Sequence, residues 1–399
     1  MATPLLFQPM QMRSVTLKNR IVVAPMHQYS AVSGYATDWH LVNAGRFAAG
    51  GAGCVMMEST KVARNGCGTV GDTALWNDDF IAPLKRCSDF IRAHGAVPAI
   101  QIGHSGRKAR LTRPWEGGKP LTGKEPEIYD WEGWELVAPS AVPHTPSSPT
   151  PRAFTNAEVQ EMIQKWGDAA ARAHLAGFDL LEIHAAHGYL LHQFLSPVSN
   201  VRNDEYGGTL ENRMRFPTEV ASCVRKNWPD HKPLFMRFSC EDDAGWTLDD
   251  SVELAKAVKA VGVDVIDCSS GGTLAHSPMD GERSKKYGYQ VPYAERIRKE
   301  AGIMTMAVGH IVHADQAEAI LQHGQADLVA IGREMLYNPN WPMDAARKLG
   351  VDVDFKSVPP PQSYWLSKRE KSGFEGNWST YAPNLAQAGT KATPAAKRG

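Results

Sequence analysis

Short β-branched runs recur eight times along this chain, separated by stretches of helix length, and this alternation limits the fold more than any other feature. The runs are Arg20–Met26, Gly53–Glu58, Val97–Ile102, Leu180–His184, Leu234–Phe238, Val265–Cys268, Met304–Val308 and Leu328–Ile331. Each is apolar almost throughout, as strands covered on both faces are. The intervening stretches carry helix punctuation. Thr155-Asn-Ala-Glu158 has capping-box spacing and opens a helical pattern that runs to Gly177. Thr247-Leu-Asp-Asp250 opens a second run, Val252–Val261, that stops at Gly262, and a third closes at Gly324. Strand, helix, strand, repeated to eight, implies parallel pairing through right-handed crossovers, closed into a single α/β (β/α)8 TIM barrel. A doubly wound open sheet competes, but its GxGxxG turn is absent after the first run.

Composition removes other classes. Lys+Arg and Asp+Glu balance at 43 each, so no net field attracts nucleic acid or an anionic membrane surface. No apolar run reaches the roughly 18 to 20 residues of a membrane span, and the start lacks the marks of a secretory signal. Six cysteines are scattered with no CxxC pair, which argues against a zinc ribbon or a Cys-ligated iron–sulfur cluster. Reduced thiols and a cytoplasmic location are the natural expectation.

At 399 residues the chain exceeds the roughly 250 of a plain barrel. Residues 1–350 are read as the barrel, 351–385 as a C-terminal extension after Pro359-Pro-Pro361, and 386–399 as a disordered tail. A long loop follows the third strand. Gly106 to Arg152 is rich in Pro, Gly and Trp, and reads either as a substrate lid over the mouth or as surface decoration.

In such a barrel the chemistry sits at the carboxyl ends of the strands. There the chain places Ala24-Pro-Met-His-Gln-Tyr29, Glu58-Ser-Thr60, Gln101-Ile-Gly-His-Ser-Gly-Arg107, His184-Ala-Ala-His-Gly-Tyr189, Arg237, Gly309 and Gly332-Arg333. His184, His187 and Tyr189 leave one strand and supply two hydrogen-bond donors and a proton source; a lone histidine there would more often be structural. A metal would need a third ligand from another strand, and none offers itself cleanly. Gly309 and Gly332-Arg333 follow the seventh and eighth strands, where barrels commonly hold phosphate, although turn glycine explains them nearly as well.

These motifs, in this order, resemble the old yellow enzyme family of FMN-dependent ene-reductases, in particular its thermophilic-like class III branch. The resemblance spans roughly Leu6 to Leu349. It rests on Leu17-Lys-Asn-Arg-Ile21, Ile100-Gln-Ile-Gly-His-Ser-Gly-Arg-Lys-Ala109, His184–Asn200, Asp204-Glu-Tyr-Gly-Gly-Thr-Leu-Glu-Asn-Arg213 and Ile331-Gly-Arg-Glu-Met-Leu-Tyr-Asn-Pro339. It implies non-covalent FMN with NAD(P)H as reductant. Activated C=C bonds of α,β-unsaturated carbonyl or nitro compounds would then be reduced by ping-pong hydride transfer from flavin N5. Ala24, Pro25, Met26, His27 and Ser59 would line the isoalloxazine, and Gln101 would bond its pyrimidine edge. Arg237 would stabilise the anionic reduced ring, and Val308, Gly309, Gly332 and Arg333 would cradle the phosphate. His184 and His187 would bind the substrate oxygen, with Tyr189 as proton donor and Tyr29 and His27 at the substrate.

Two departures stand out. His27 occupies the position where this branch usually carries Cys, so the flavin potential is expected to depend on pH between 5.5 and 8. The C-terminal segment is also long. The resemblance implies a homodimer or homotetramer in which Tyr364, Trp365 or Arg369 reaches a neighbouring site. Alternative readings are an FMN-dependent barrel acting on N-methylated amines, a metal-dependent barrel hydrolase, and a non-catalytic binding barrel.

Overall fold

Barrel closure is visible in the strand pairing itself. The computed structural model describes residues 3–128, 130–274, 285–352 and 354–371. A hairpin of β1 (Met10–Met12) and β2 (Val15–Leu17) precedes the barrel. The barrel strands are β3 (Ile21–Val23), β4 (Cys54–Lys61) and β5 (Val97–Gly103), then, after a two-stranded insert of β6 (Val137–Ala138) and β7 (Arg152–Ala153), β8 (Leu180–Ala185), β9 (Leu234–Ser239), β10 (Val265–Ser269), β11 (Met304–Ala307) and β12 (Leu328–Ile331). All eight pair in parallel, and β12 returns to β3.

Helices cover the outside: α1 (Asp38–Ala49), α2 (Ile81–Ala93), α3 (Asn156–Leu175), the short α4 (Leu190–Leu195), α5 (Leu210–Asn227), α6 (Leu248–Ala260), α7 (Val291–Ala301) and α8 (Ala314–Gln322). Then come α9 (Arg333–Tyr337), α10 (Trp341–Lys348) and α11 (Pro360–Lys371). The capping boxes at Thr155 and Thr247 both form, and Gly177, Gly262 and Gly324 adopt positive φ just beyond their helices.

Parallel strands buried on both faces send alternate side chains to different cores. Val55, Met57, Leu181, Ile183, Met236 and Ile266 face the helices, together with Trp166 and Ile163 of α3. Met56, Ala99, Leu180, Phe235, Val265 and Met306 fill the barrel interior, whose lower end is plugged by Met12 and Leu17 of the hairpin.

Two strands depart from the expected bounds by more than a single residue. β3 stops at Val23, so Ala24–Met26 leave the sheet and enter the mouth. β4 runs on past Glu58 to Lys61 because it contains a bulge: Met57 pairs with Ile100 and the next pair is Thr60 with Ile102, so β4 carries one residue more than β5. An extra residue reverses which side chains point inward. Beyond the bulge Lys61 pairs with Gly103, an inward position.

The insert after β5 covers the mouth. Trp134 is fully buried and donates its Nε1–H to Cys67 O at 3.0 Å, while Arg113 Nε donates to Tyr29 O at 3.1 Å and the Trp115 ring meets Tyr29 edge-on. Those contacts fit a cover over the site better than a decoration. The expected tail, 386–399, lies outside the described residues.

Candidate active site

The inward-facing residues of the upper barrel are polar because the apolar filling stops there. A cavity of about 540 Å³ opens at the carboxyl ends of β9 to β12 and β3. Nine of the fifteen expected site residues line it: Ala24, Pro25, Met26, His187, Arg237, Val308, Gly309, Gly332 and Arg333. Ser269, Ser270, Tyr289, Gln290 and His310 also line it, and sequence reading missed them. His310 directly follows the expected Gly309. Tyr289 and Gln290 lie far from any strand end, and only the fold brings them back.

Five of the remaining six residues form a contiguous second wall. The His184 and His187 rings stand perpendicular, with His184 Nε2 and His187 Nδ1 at 3.4 Å. Tyr189 meets His184 edge-on, and His27 lies between Tyr189 and Tyr29, stacked on the latter at 5.2 Å. Ser59 lies opposite Gly103, where an added Cβ would sit 2.3 Å from Ser59 Oγ and 3.5 Å from His184 Cβ. A side chain at 103 would fill that space. Gln101 is the sixth: its Nε2 donates to Glu182 Oε1 at 2.7 Å.

A backbone hydrogen bond selects the His184 tautomer, and the direction of the Ser269 hydroxyl selects that of His187. His184 Nδ1 accepts from Ala186 N at 3.2 Å, which leaves its proton on Nε2. His187 Nε2 lies 2.8 Å from Ser269 Oγ, and with that hydroxyl donating, the His187 proton sits on Nδ1. Two N–H groups then face one another, and an oxygen between them would accept from both. His187 holds this position with φ +59 and a backbone N–H to Ser239 Oγ at 2.8 Å. Its neighbour Gly188 must be glycine, since a Cβ would meet Gly272 O at 2.1 Å.

Burial, reinforced by nearby cations, holds His184 and His187 well below the ordinary histidine pKa, so both are neutral. His27 is lowered by burial first and by Lys61 second, against the pull of Asp72 and Glu58. Beneath them Arg237 Nε lies 3.2 Å from Asp267 Oδ2 without hydrogen-bond alignment. Burial raises both Asp267 and Glu182 despite that arginine.

A phosphorylated planar cofactor fits these residues. The cavity is within the roughly 300–1,000 Å³ range of small-molecule sites. At one end Arg237 presents a buried Nε without a hydrogen bond, and at the other Arg333 lies beside His310 at 3.1 Å next to Gly309 and Gly332. The Gly332 backbone faces Met26 and Ala24, where an added Cβ would be in van der Waals contact with Met26 Sδ at 3.6 Å. By class, then, fold and site define a flavin oxidoreductase.

A family model described as the NADH:flavin oxidoreductase / NADH oxidase family matches residues 5–351, and the chain belongs to that family, the old yellow enzyme family. It is an NAD(P)H-dependent flavin oxidoreductase whose cofactor is FMN. An NADPH dehydrogenase of Geobacillus thermodenitrificans is 43% identical over 354 residues, covering 88% of this chain and 96% of the relative. An NADH:flavin oxidoreductase of Gibberella zeae is 41% identical over 385 residues, covering 92% and 91%. Among solved structures, morphinone reductase in complex with tetrahydroNAD superimposes with a TM-score of 0.70 at 26% identity, covering 91% of this chain and 94% of that one. A 2-naphthoyl-CoA reductase reaches 0.76 at 27% identity over 86% of this chain, which spans about half (52%) of that larger protein.

Two predictions follow from the titrating groups. Burial pushes His104 down to about 3, whereas an unfolded histidine titrates near 6.5. The unfolded chain therefore takes up a proton that the folded one refuses. Stability falls as pH drops below about 6.5, by up to about 1.4 kcal/mol per pH unit for each such histidine. Denaturant midpoints measured from pH 7 to 4.5 should show this slope, and a flat profile would contradict it. Burial and Lys61 also lower His27, which moves its charging toward the acid end of the window from 5.5 to 8 expected from sequence. Flavin potentials of wild type and His27→Cys should run parallel above pH 6.5 and separate only below it; separation confined to alkaline pH would refute this.

Proposed function

We propose that this enzyme reduces activated C=C bonds, in α,β-unsaturated carbonyl or nitro compounds, with reduced nicotinamide and alkene using one pocket in turn. The observation that carries the reading is the close approach of His184 Nε2 and His187 Nδ1, 3.4 Å apart on two rings that burial keeps neutral. A carbonyl or nitro oxygen between them accepts both hydrogen bonds, drawing electron density from the conjugated double bond and favouring hydride addition at its β carbon. Bound FMN supplies that hydride after NAD(P)H has reduced it. Arg237 holds positive charge at one end of the cavity, where Val308, Gly309, Gly332 and Arg333 at the other would hold the phosphate. Tyr189, edge-on to His184, donates the proton to the α carbon, and Tyr29 and His27 bound the substrate side.

The family pattern and the exposed Tyr364 and Trp365 rings on α11 support a cytoplasmic homo-oligomer in which this segment meets a neighbouring subunit. Removing the chain from Ser363 onward should change both KM and oligomeric state. Unchanged values in the truncated enzyme would dismiss that role.

The central test is spectroscopic. Anaerobic NADPH should bleach the flavin absorbance, and cyclohexenone should restore it. His184→Ala should slow the restoration by roughly 10²- to 10³-fold, the cost of losing one such donor. Bleaching without restoration in wild type would leave the flavin and remove the enone as substrate.

A further inference from the structure

Lys61 has no part in the chemistry above, yet it is a fully buried lysine at the carboxyl end of β4. The β4 bulge turns it inward, opposite Gly103. Its Nζ lies 3.5 Å from Asp72 Oδ2, 3.4 Å from Ser59 Oγ and 5.3 Å from the centroid of the Tyr189 ring. Asp72 is already engaged, accepting from Gly68 N and Thr69 Oγ1 at 2.7 Å each. Both contacts of the ammonium are long, so its charge is only loosely neutralised. A buried ion pair of this kind contributes little to stability, because desolvating two charges offsets their attraction.

The surroundings of Tyr189 explain what a cation there can do. Burial raises the phenol far above its ordinary pKa, with Tyr29 and Asp72 adding to the rise. His27 and His184 pack against its ring, and the Lys108 ammonium lies 5.3 Å from it while donating to His187 O and Gly272 O. Lys61 is in turn surrounded by Asp72, His27, His104, Cys67 and His184. Tyr189 is therefore the one phenol flanked by two ammonium groups among the cation–ring contacts of the described residues.

We propose that Lys61, held by Asp72, is a positioning residue for proton transfer: its ammonium stabilises the negative charge left on Tyr189 when the phenol gives up its proton. This rests on the reading of Tyr189 as proton donor. In that step the Tyr189 O–H bond breaks and a C–H bond forms at the α carbon, using the electron pair that hydride addition at the β carbon left there. The phenolate beside Lys61 then takes a proton from water, so each turnover consumes one hydride and one proton.

The test compares the FMN-loaded enzyme with Lys61→Gln/Asp72→Asn, which removes both charges together, and with Lys61→Gln, Lys61→Arg and Tyr189→Phe. The oxidative half-reaction with cyclohexenone is followed by stopped flow in H2O and D2O across pH. Lys61→Gln should be slowed about tenfold, the scale of one cation lost at this distance in a partly screened site, with KM little changed and a larger solvent isotope effect, and the double variant should be slowed less because Asp72 opposes ionisation of Tyr189. Lys61→Arg should recover most of the rate. Should the double variant fail to fold, the single Gln and Arg variants decide. Wild-type rate and isotope effect in Lys61→Gln, or an Arg variant as slow as Gln, would overturn the inference while a slow Tyr189→Phe left the proton-donor reading standing. An undiminished Tyr189→Phe would remove both.

Discussion

Closing a parallel sheet on itself is the constraint from which the rest of this molecule follows. Every second side chain of each strand must point into a space with no exit below, since Met12 and Leu17 plug it. The lower interior is accordingly apolar, with Phe235, Leu180, Val265 and Met306. The upper interior receives Glu182, His184, Arg237, Asp267 and Ser269, because the same period of two continues to the mouth. A single pleat thus produces both the packing that holds the barrel and the polar wall above it.

That wall is assembled at an electrostatic cost. Arg237 and Asp267 are buried together, Glu182 shares its carboxylate with the Gln101 amide, and desolvation and nearby cations push His27, His184 and His187 at the mouth below the ordinary histidine pKa. Neutral imidazoles beside fixed cations are what a site needs if it is to donate hydrogen bonds to an uncharged oxygen and bear an anion later. Glu58 illustrates the same economy on the opposite side. Its carboxylate accepts from His40 Nε2 and from the Gln28 backbone, which anchors the segment carrying His27 and Tyr29.

The eight strands, the capped helices and most of the mouth were legible in the chain because they depend on local rules. Thr155 and Glu158 meet within one turn, and Gly177 sits where the helix must end. The Lys61 position was not legible. Glu58-Ser-Thr-Lys61 reads as the polar end of a strand, and nothing within it signals the extra residue that turns Lys61 toward Tyr189. Gln101 was found by position but its bond to Glu182 was not, since Glu182 lies 81 residues away on the neighbouring strand.

Sequence alone determined the number and order of the elements, the strand ends that would carry chemistry, and the resemblance that named the cofactor. These follow from periodicity, punctuation and motif order, all of which are properties of neighbours along the chain. Only the tertiary structure decided which histidine nitrogens face each other, which carboxylates share the buried interior with Arg237, and that Tyr289 and Gln290 join the cavity. Those outcomes depend on register, on one bulge and on desolvation, and each is set by residues distant in sequence that closure of the barrel brings within a few ångströms.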